Sequence, residues 1–86
     1  MRVVIPTLLR SYTGGAAAVT AHGTTLDQLT TDLDRKYPGL RFRIIDEQGS
    51  IRPHIRFFVN RAATRDLGSA VSENDEVIIV GALSGG

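Results

Sequence analysis

The chain closes on Gly85-Gly86, a few residues after an apolar run, and little else in it has the residue types or spacing to do chemistry. With nine glycines among 86 residues, composition alone would put glycine at both final positions about once in a hundred chains. A frayed, glycine-rich end is the competing explanation; the small residues that crowd the last six positions and the lack of any charged side chain after Glu76 weigh against it. The usual marks of a reactive site are missing or scattered. There is no cysteine, which excludes disulfide scaffolds, thiolate zinc sites, iron–sulfur clusters and a cysteine nucleophile. His22 and His54 have no ligand spacing and read as surface histidines, so no metal is expected. Asp27, Asp32 and Asp34 read as the solvated face of a helix. Thr13-Gly14-Gly15 lacks the Gly-x-x-x-x-Gly-Lys spacing of a phosphate loop and reads as a turn. The chain is expected to have no catalytic residue of its own.

Those few features sit in a small frame. Eighty-six residues, 42% hydrophobic and 22% charged, suit one globular domain whose core just suffices without staples, with no room for an enclosed substrate cavity. A binding or carrier module is favoured over a self-sufficient enzyme. Ten basic against nine acidic residues leave no basic excess to drive phosphate binding, so nucleic acid is not an expected partner. No stretch approaches the roughly 20 apolar residues of a membrane span, and the N-terminal apolar run is cut short by Pro6 with no cleavage pattern after it, so a cytoplasmic location is expected. The basic residues are nine arginines and one lysine, Lys36.

The elements follow from periodicity. Met1, Val3 and Ile5 alternate with Arg2 and Val4, which predicts a strand over about residues 1–8, limited by Pro6 to an edge or an end. Thr13-Gly14-Gly15 supplies positive φ for a hairpin into a second strand on which Ala17, Val19 and Ala21 recur at period two. Thr25-Leu26-Asp27-Gln28 has capping-box spacing, and Leu26, Leu29, Leu33 and Tyr37 share one helical face, which predicts a helix over 25–37 stopped by Pro38-Gly39. Residues 40–53 are mixed: Leu40, Phe42, Ile44 and Ile45 could pack under the sheet, ahead of an exposed loop at Asp46–Ser50. Ile55, Phe57 and Val59 alternate with His54, Arg56 and Phe58 in a third strand ended by Asn60-Arg61. Leu67 and Val71 are spaced for a turn of helix, and Glu73-Asn74-Asp75 predicts a turn with Asn74 left-handed. The last strand is Glu76–Val80, apolar on both faces. This order predicts an α+β, β-grasp domain, a mixed sheet of four to five strands crossed by one main helix, over residues 1–82, with 83–86 as a flexible tail.

The run Val3–Arg10 leading to Thr13-Gly14-Gly15, the helix Leu26–Tyr37, Phe58-Val59-Asn60, Asn74-Asp75-Glu76-Val77 and Gly85-Gly86 together resemble the MoaD/ThiS family of ubiquitin-like sulfur carriers, over essentially the whole chain. The Ile-Pro-Thr-x-Leu-Arg opening most resembles the CysO-type carriers associated with cysteine synthesis. Asn74 stands where a Gly-Asp turn is common in the family, and Arg61-Ala62-Ala63 replaces a more acidic turn.

The resemblance implies that a partner of the ubiquitin-activating type, an adenylyltransferase and sulfurtransferase, uses ATP to adenylate the carboxylate of Gly86, and that a sulfur donor then displaces AMP to leave a thiocarboxylate. Gly85 and Gly86, with no Cβ, suit passage through a narrow channel into another protein's site. ATP is consumed by the partner, and the carrier binds no cofactor. A sulfur-accepting synthase follows, which a cysteine pathway would supply as a pyridoxal-phosphate enzyme; molybdopterin, thiamin and natural-product pathways draw on similar carriers. If the third and last strands are neighbours, as the resemblance implies, Phe58, Ile78 and Val80 form one exposed apolar patch with Arg56 at its rim, upstream of Leu83 and Ser84 in the tail, and this surface is expected to dock the partner. The alternative is that Ile78 and Val80 are covered by the 40–53 segment or a dimer contact; a monomer is expected when the protein is alone. Two other functions compete: a protein modifier conjugated to lysines through Gly86, and a non-covalent β-grasp interaction module.

Overall fold

The computed structural model describes residues 1–81. β1 (Arg2–Val4), β2 (Ala18–Thr20), β3 (Ile55–Val59), β4 (Ala62–Thr64) and β5 (Glu76–Gly81) form one sheet in the order β2-β1-β5-β3-β4. β1 and β5 run parallel at its centre, and every other pairing is antiparallel. Helices α1 (Leu26–Lys36) and α2 (Leu40–Ile44) lie on one side. Alternation on the strands points Val3, Ile55, Phe57, Val77 and Ile79 into the core, where they meet Leu26, Leu29 and Leu33 of α1 and Leu40 and Ile44 of α2. The expected mixed sheet crossed by one main helix is present.

α1 begins where its sequence says. Thr25 caps it by accepting from the Gln28 amide at 3.2 Å. Gln28 reaches one residue further back than a capping box requires, accepting from the amide and hydroxyl of Thr24 at 2.9 and 2.8 Å. Gly39 at φ 94° closes the segment and opens α2.

Several local expectations are corrected. The first strand stops at Val4 instead of near residue 8: Pro6 has no amide to give to a ladder, and Thr7–Thr13 wind into a 3₁₀ helix. β1 and β2 pair antiparallel, but through that helix and not a tight hairpin; Gly14 and Gly15 do adopt positive φ, at 65° and 88°. Phe42 is 52% exposed and does not pack under the sheet, because α2 is one turn that buries only Leu40 and Ile44. Leu67 lies in a turn and Val71 outside any helix or strand, with no helix between them. β4 follows β3 through Asn60 and Arg61 at φ 48° and 73°, and these, not Asn74, are the left-handed non-glycine residues among those described.

Candidate functional site

The antiparallel register of β3 on β5 sets Phe58 opposite Ile78, Arg56 opposite Val80 and Ile55 opposite Gly81. Since Ile55, Phe57, Val77 and Ile79 point into the core, Arg56, Phe58, Ile78 and Val80 stand on the other face. Register extends the row: Ile78 also faces Val4, Val4 faces Ala18, and Phe58 faces Ala63. Ala18, Val4, Ile78, Phe58 and Ala63 thus cross all five strands as a continuous apolar stripe. Phe58 and Ile78 are half-buried by their neighbours, while Val80 is 41% exposed. The 40–53 segment does not cover them, because Leu40 and Ile44 pack into the core on the opposite side of the sheet.

Polar residues hold the stripe at one end. Arg2 pairs with Glu76 at 3.3 Å. Asn60, at the end of β3, donates through Nδ2 to Asp75 Oδ1 at 2.7 Å and accepts the Glu76 amide at 2.9 Å, while its own amide donates to the Glu76 carbonyl at 2.9 Å. These bonds fix the register on which the Phe58–Ile78 pairing depends. The Asn60 side chain is also the first cause that holds the Asp75 carboxyl below its ordinary range.

At the other end β5 finishes at Gly81 beneath Leu8 of the 3₁₀ helix: a Cβ on Gly81 would stand 2.4 Å from Leu8 Cδ2. Leu8 also borders an open cleft of about 550 Å³, lined by Tyr12, Phe42, Arg43, Arg52 and His54. Arg43 Nε donates to the Tyr12 hydroxyl at 2.8 Å, and Arg52 lies over the Phe42 ring at 4.6 Å. Sequence reasoning missed this cleft, because its members come from three separate segments.

The structure brings together Phe58, Ile78, Val80 and Arg56; Leu83, Ser84, Gly85 and Gly86 lie outside the described residues. Among the described residues no three histidine or carboxylate groups gather as metal ligands, and no helix is long and apolar enough to cross a membrane. The helix aspartates are more than a solvated face. Asp32 is 9% exposed and accepts the His22 amide at 2.9 Å, a bond that, with Arg35 and Lys36 nearby, holds its carboxyl down to about 2. Asp34 accepts the amides of Gly39 and Arg41 at the start of α2, both at 3.1 Å. Asp27 pairs with Arg41 at 2.6 Å. All three are tethers of the helical layer.

Comparison with known proteins gives concordant results. The model of the ThiS family matches residues 3–86. The sulfur carrier protein CysO of Mycobacterium tuberculosis is 36% identical over 89 residues, covering 98% of this chain and 96% of the relative. Among solved structures, the Amycolatopsis orientalis BexX/CysO complex contains a chain that superposes with a TM-score of 0.90 at 32% identity, covering 99% of this chain and 98% of that one. SAMP1 from Haloferax volcanii superposes with a TM-score of 0.79 at 26% identity, covering 100% and 98%. The fold is that of the ubiquitin-like β-grasp proteins.

Proposed function

The chain belongs to the ThiS family, and from that premise we propose that it is a sulfur carrier that works through the main chain of Gly86. The observation that carries this reading is the 36% identity to CysO over 98% of this chain, joined to an apolar sheet face at the end of which β5 leads, in sequence, toward Gly85-Gly86. A Gly86 carboxylate oxygen attacks the α-phosphorus of ATP in a partner enzyme, releasing pyrophosphate and forming an acyl-adenylate. A sulfide-level donor then attacks the acyl carbon; the carbon–sulfur bond forms, the carbon–oxygen bond to AMP breaks, and a thiocarboxylate remains. That group is ionised near neutral pH and is a sulfur nucleophile with no base beside it. The carrier contributes position and no catalytic side chain.

Phe58, Ile78 and Val80, with Arg56 at the margin and Leu83 and Ser84 between them and the diglycine, are the proposed partner-binding surface. That a CysO chain has been crystallised together with BexX supports a protein partner. The acceptor is a sulfur-consuming synthase, with cysteine formation favoured by the relatives' name and a pyridoxal-phosphate enzyme as its natural type.

Likeness to SAMP1 favours one second reading, a protein modifier joined to lysines through Gly86. Lys36 Nζ donates to the Thr20 carbonyl at 2.9 Å and lies 3.5 Å from Asp32, so the chain's own lysine is a poor site for building chains. Intact-mass measurement after incubation with the activating enzyme, ATP and sulfide tests the carrier reading. A gain equal to the difference between sulfur and oxygen is expected; an unchanged mass with a competent enzyme overturns it, and lysine-linked products in a cell extract would favour the modifier.

A further inference from the structure

The arginines fall into groups by what their guanidiniums meet. Arg2, Arg35 and Arg41 each meet a carboxylate, on Glu76, Asp32 and Asp27. Arg10, Arg52, Arg56 and Arg65 are tied to main-chain carbonyls instead. Arg10 Nε donates to Ile5 at 3.0 Å, and Arg52 Nε donates to Phe42 at 2.7 Å. Arg56 Nη1 donates to Pro53 at 2.7 Å and Ile55 at 3.1 Å, while Arg65 donates to Ile55 and Ile51, both at 3.0 Å. Among the described residues no carboxylate forms a salt bridge with any of these four.

A carbonyl fixes the direction of a guanidinium without neutralising it. Arg56 and Arg65 both reach the carbonyl of Ile55, the residue directly opposite Gly81, so two like charges are held close together where the last described strand ends. Each guanidinium has five N–H donors and keeps some that the carbonyls do not use. Glu47 in the neighbouring cleft, Asp46, and Asp66 beside Arg65 are the acidic residues on this side; Asp46 accepts the amides of Gln48 and Ser50 and feels the Arg52 charge, and Asp66 accepts the Gly68 amide. At the start of β5 the acidic residues have partners of their own: Glu73 meets the N-terminus at 3.7 Å, Glu76 meets Arg2 at 3.3 Å, and Asp75 accepts from Asn60. In a chain of net charge +1, four arginines without a salt-bridge partner among the described residues are a local excess that orients the molecule in a partner's field more than it attracts polyanions.

We propose that Arg10, Arg52, Arg56 and Arg65 form a recognition rim for acidic side chains on the protein that receives the tail, so that the molecule is steered with the Gly81 end of β5 leading. The proposal rests on the carrier reading and adds to it the sign of charge around the receiving protein's entrance. Protein carboxylates are favoured over a nucleotide phosphate because the guanidiniums are spread around a strand end and do not converge in a pocket.

The test compares two double variants of equal net charge. Arg56→Gln with Arg65→Gln removes the centre of the rim; Arg35→Gln with Arg61→Gln removes the same charge from α1 and the β3–β4 turn. Association of each with the activating enzyme is followed from 20 to 300 mM salt, together with the mass gain of the unmutated chain. The rim variant is expected to bind about tenfold more slowly at low salt and with a flatter salt dependence, while the other variant stays within about twofold. Equal effects of the two doubles, or salt-independent binding of the unmutated chain, overturn the rim while leaving the carrier reading standing if the mass gain is seen. No mass gain overturns both. Loss of the rim effect on adding millimolar inorganic phosphate, at matched ionic strength, would assign the arginines to a phosphate and overturn the acidic-protein assignment. Should the double variant melt, Arg56→Gln and Arg65→Gln singly are each expected to slow association about threefold, and no slowing in either overturns the proposal.

Discussion

Phe58 on β3 stands directly across from Ile78 on β5, on the face of the sheet turned away from α1, and the pair links the apolar row of β1 and β2 to that of β4. A half-buried aromatic at the centre of a row that neither helix of the described residues covers is the usual position of an interface anchor.

Phe58→Asp is therefore expected to separate folding from activation. Loss of its cross-strand contacts costs about 1–2 kcal/mol, which a urea titration would register while the chain stays folded. A charge at the centre of the docking face should slow adenylation by about a hundredfold or more. Global unfolding of the variant would place Phe58 in the core and remove the patch from consideration.

Deletion of Gly86 distinguishes acyl chemistry from plain binding. The truncated chain is expected to gain no mass with activating enzyme, ATP and sulfide, while binding that enzyme within about tenfold of the full chain, since the sheet face is unchanged. A truncated chain that still supports sulfur transfer would make the diglycine incidental and return the protein to the class of non-covalent modules.

What was legible in the sequence was local or governed by parity. Leu26, Leu29 and Leu33 at helical spacing behind a threonine cap are all fully buried, and alternation on β3 and β5 put Phe58, Ile78 and Val80 on one face. The misreadings needed long-range information. Leu67 and Val71 have helical spacing, yet their segment is held by main-chain bonds to the start of α1: Leu67 accepts from Asp27, Ser69 accepts from Leu26, and Val71 donates to Thr24. Those bonds take the groups a helix would use internally. The 3₁₀ helix was hidden because Leu8 and Leu9 continue the apolar run of β1 past the proline that ends it. The arginine rim was invisible, since Arg56 and Arg65 reach one carbonyl, that of Ile55, only once β3 and β4 are paired, and that carbonyl lies across from Gly81 only once β3 pairs with β5.

Acid should loosen the helical layer in a predictable order. The His22 amide bond, aided by Arg35 and Lys36, lowers the Asp32 carboxyl from 3.8 to about 2. A depressed folded value means that Asp32 contributes stability above about pH 4, and that the contribution is lost as pH falls from there through about 2. Glu73, Asp75 and Asp46 are depressed as well, by His22, Asn60 and the Ser50 amide respectively, so they share the acid limb. Asp32→Asn is expected to cost about 1 kcal/mol at pH 6 and to erase the lowest-pH part of that limb. Thermal melts from pH 6 to pH 2 would show it; superimposable acid limbs for the two chains would mean that Asp32 is not ionised to any structural purpose.

The β3–β4 turn offers the reverse case, a substitution that should stabilise. Asn60 and Arg61 are both left-handed, as a two-residue hairpin joining right-twisted strands requires. Asparagine tolerates that region; arginine meets the Cβ penalty of about 1–2 kcal/mol. Arg61→Gly removes the penalty and returns part of it as greater freedom of the unfolded chain, for a net gain of about 0.5–1 kcal/mol. Asn60→Gly satisfies the same backbone geometry but deletes the side-chain bonds to Asp75 and the Glu76 amide, and should cost about 1–2 kcal/mol. Opposite signs for the same replacement at adjacent positions would show that Asn60 is there to lock β3 onto β5 and Arg61 only completes the turn. Urea titrations decide it: a loss of stability in Arg61→Gly comparable to that in Asn60→Gly would mean that the arginine side chain, and not the backbone, holds the turn and with it the register that sets Phe58 against Ile78.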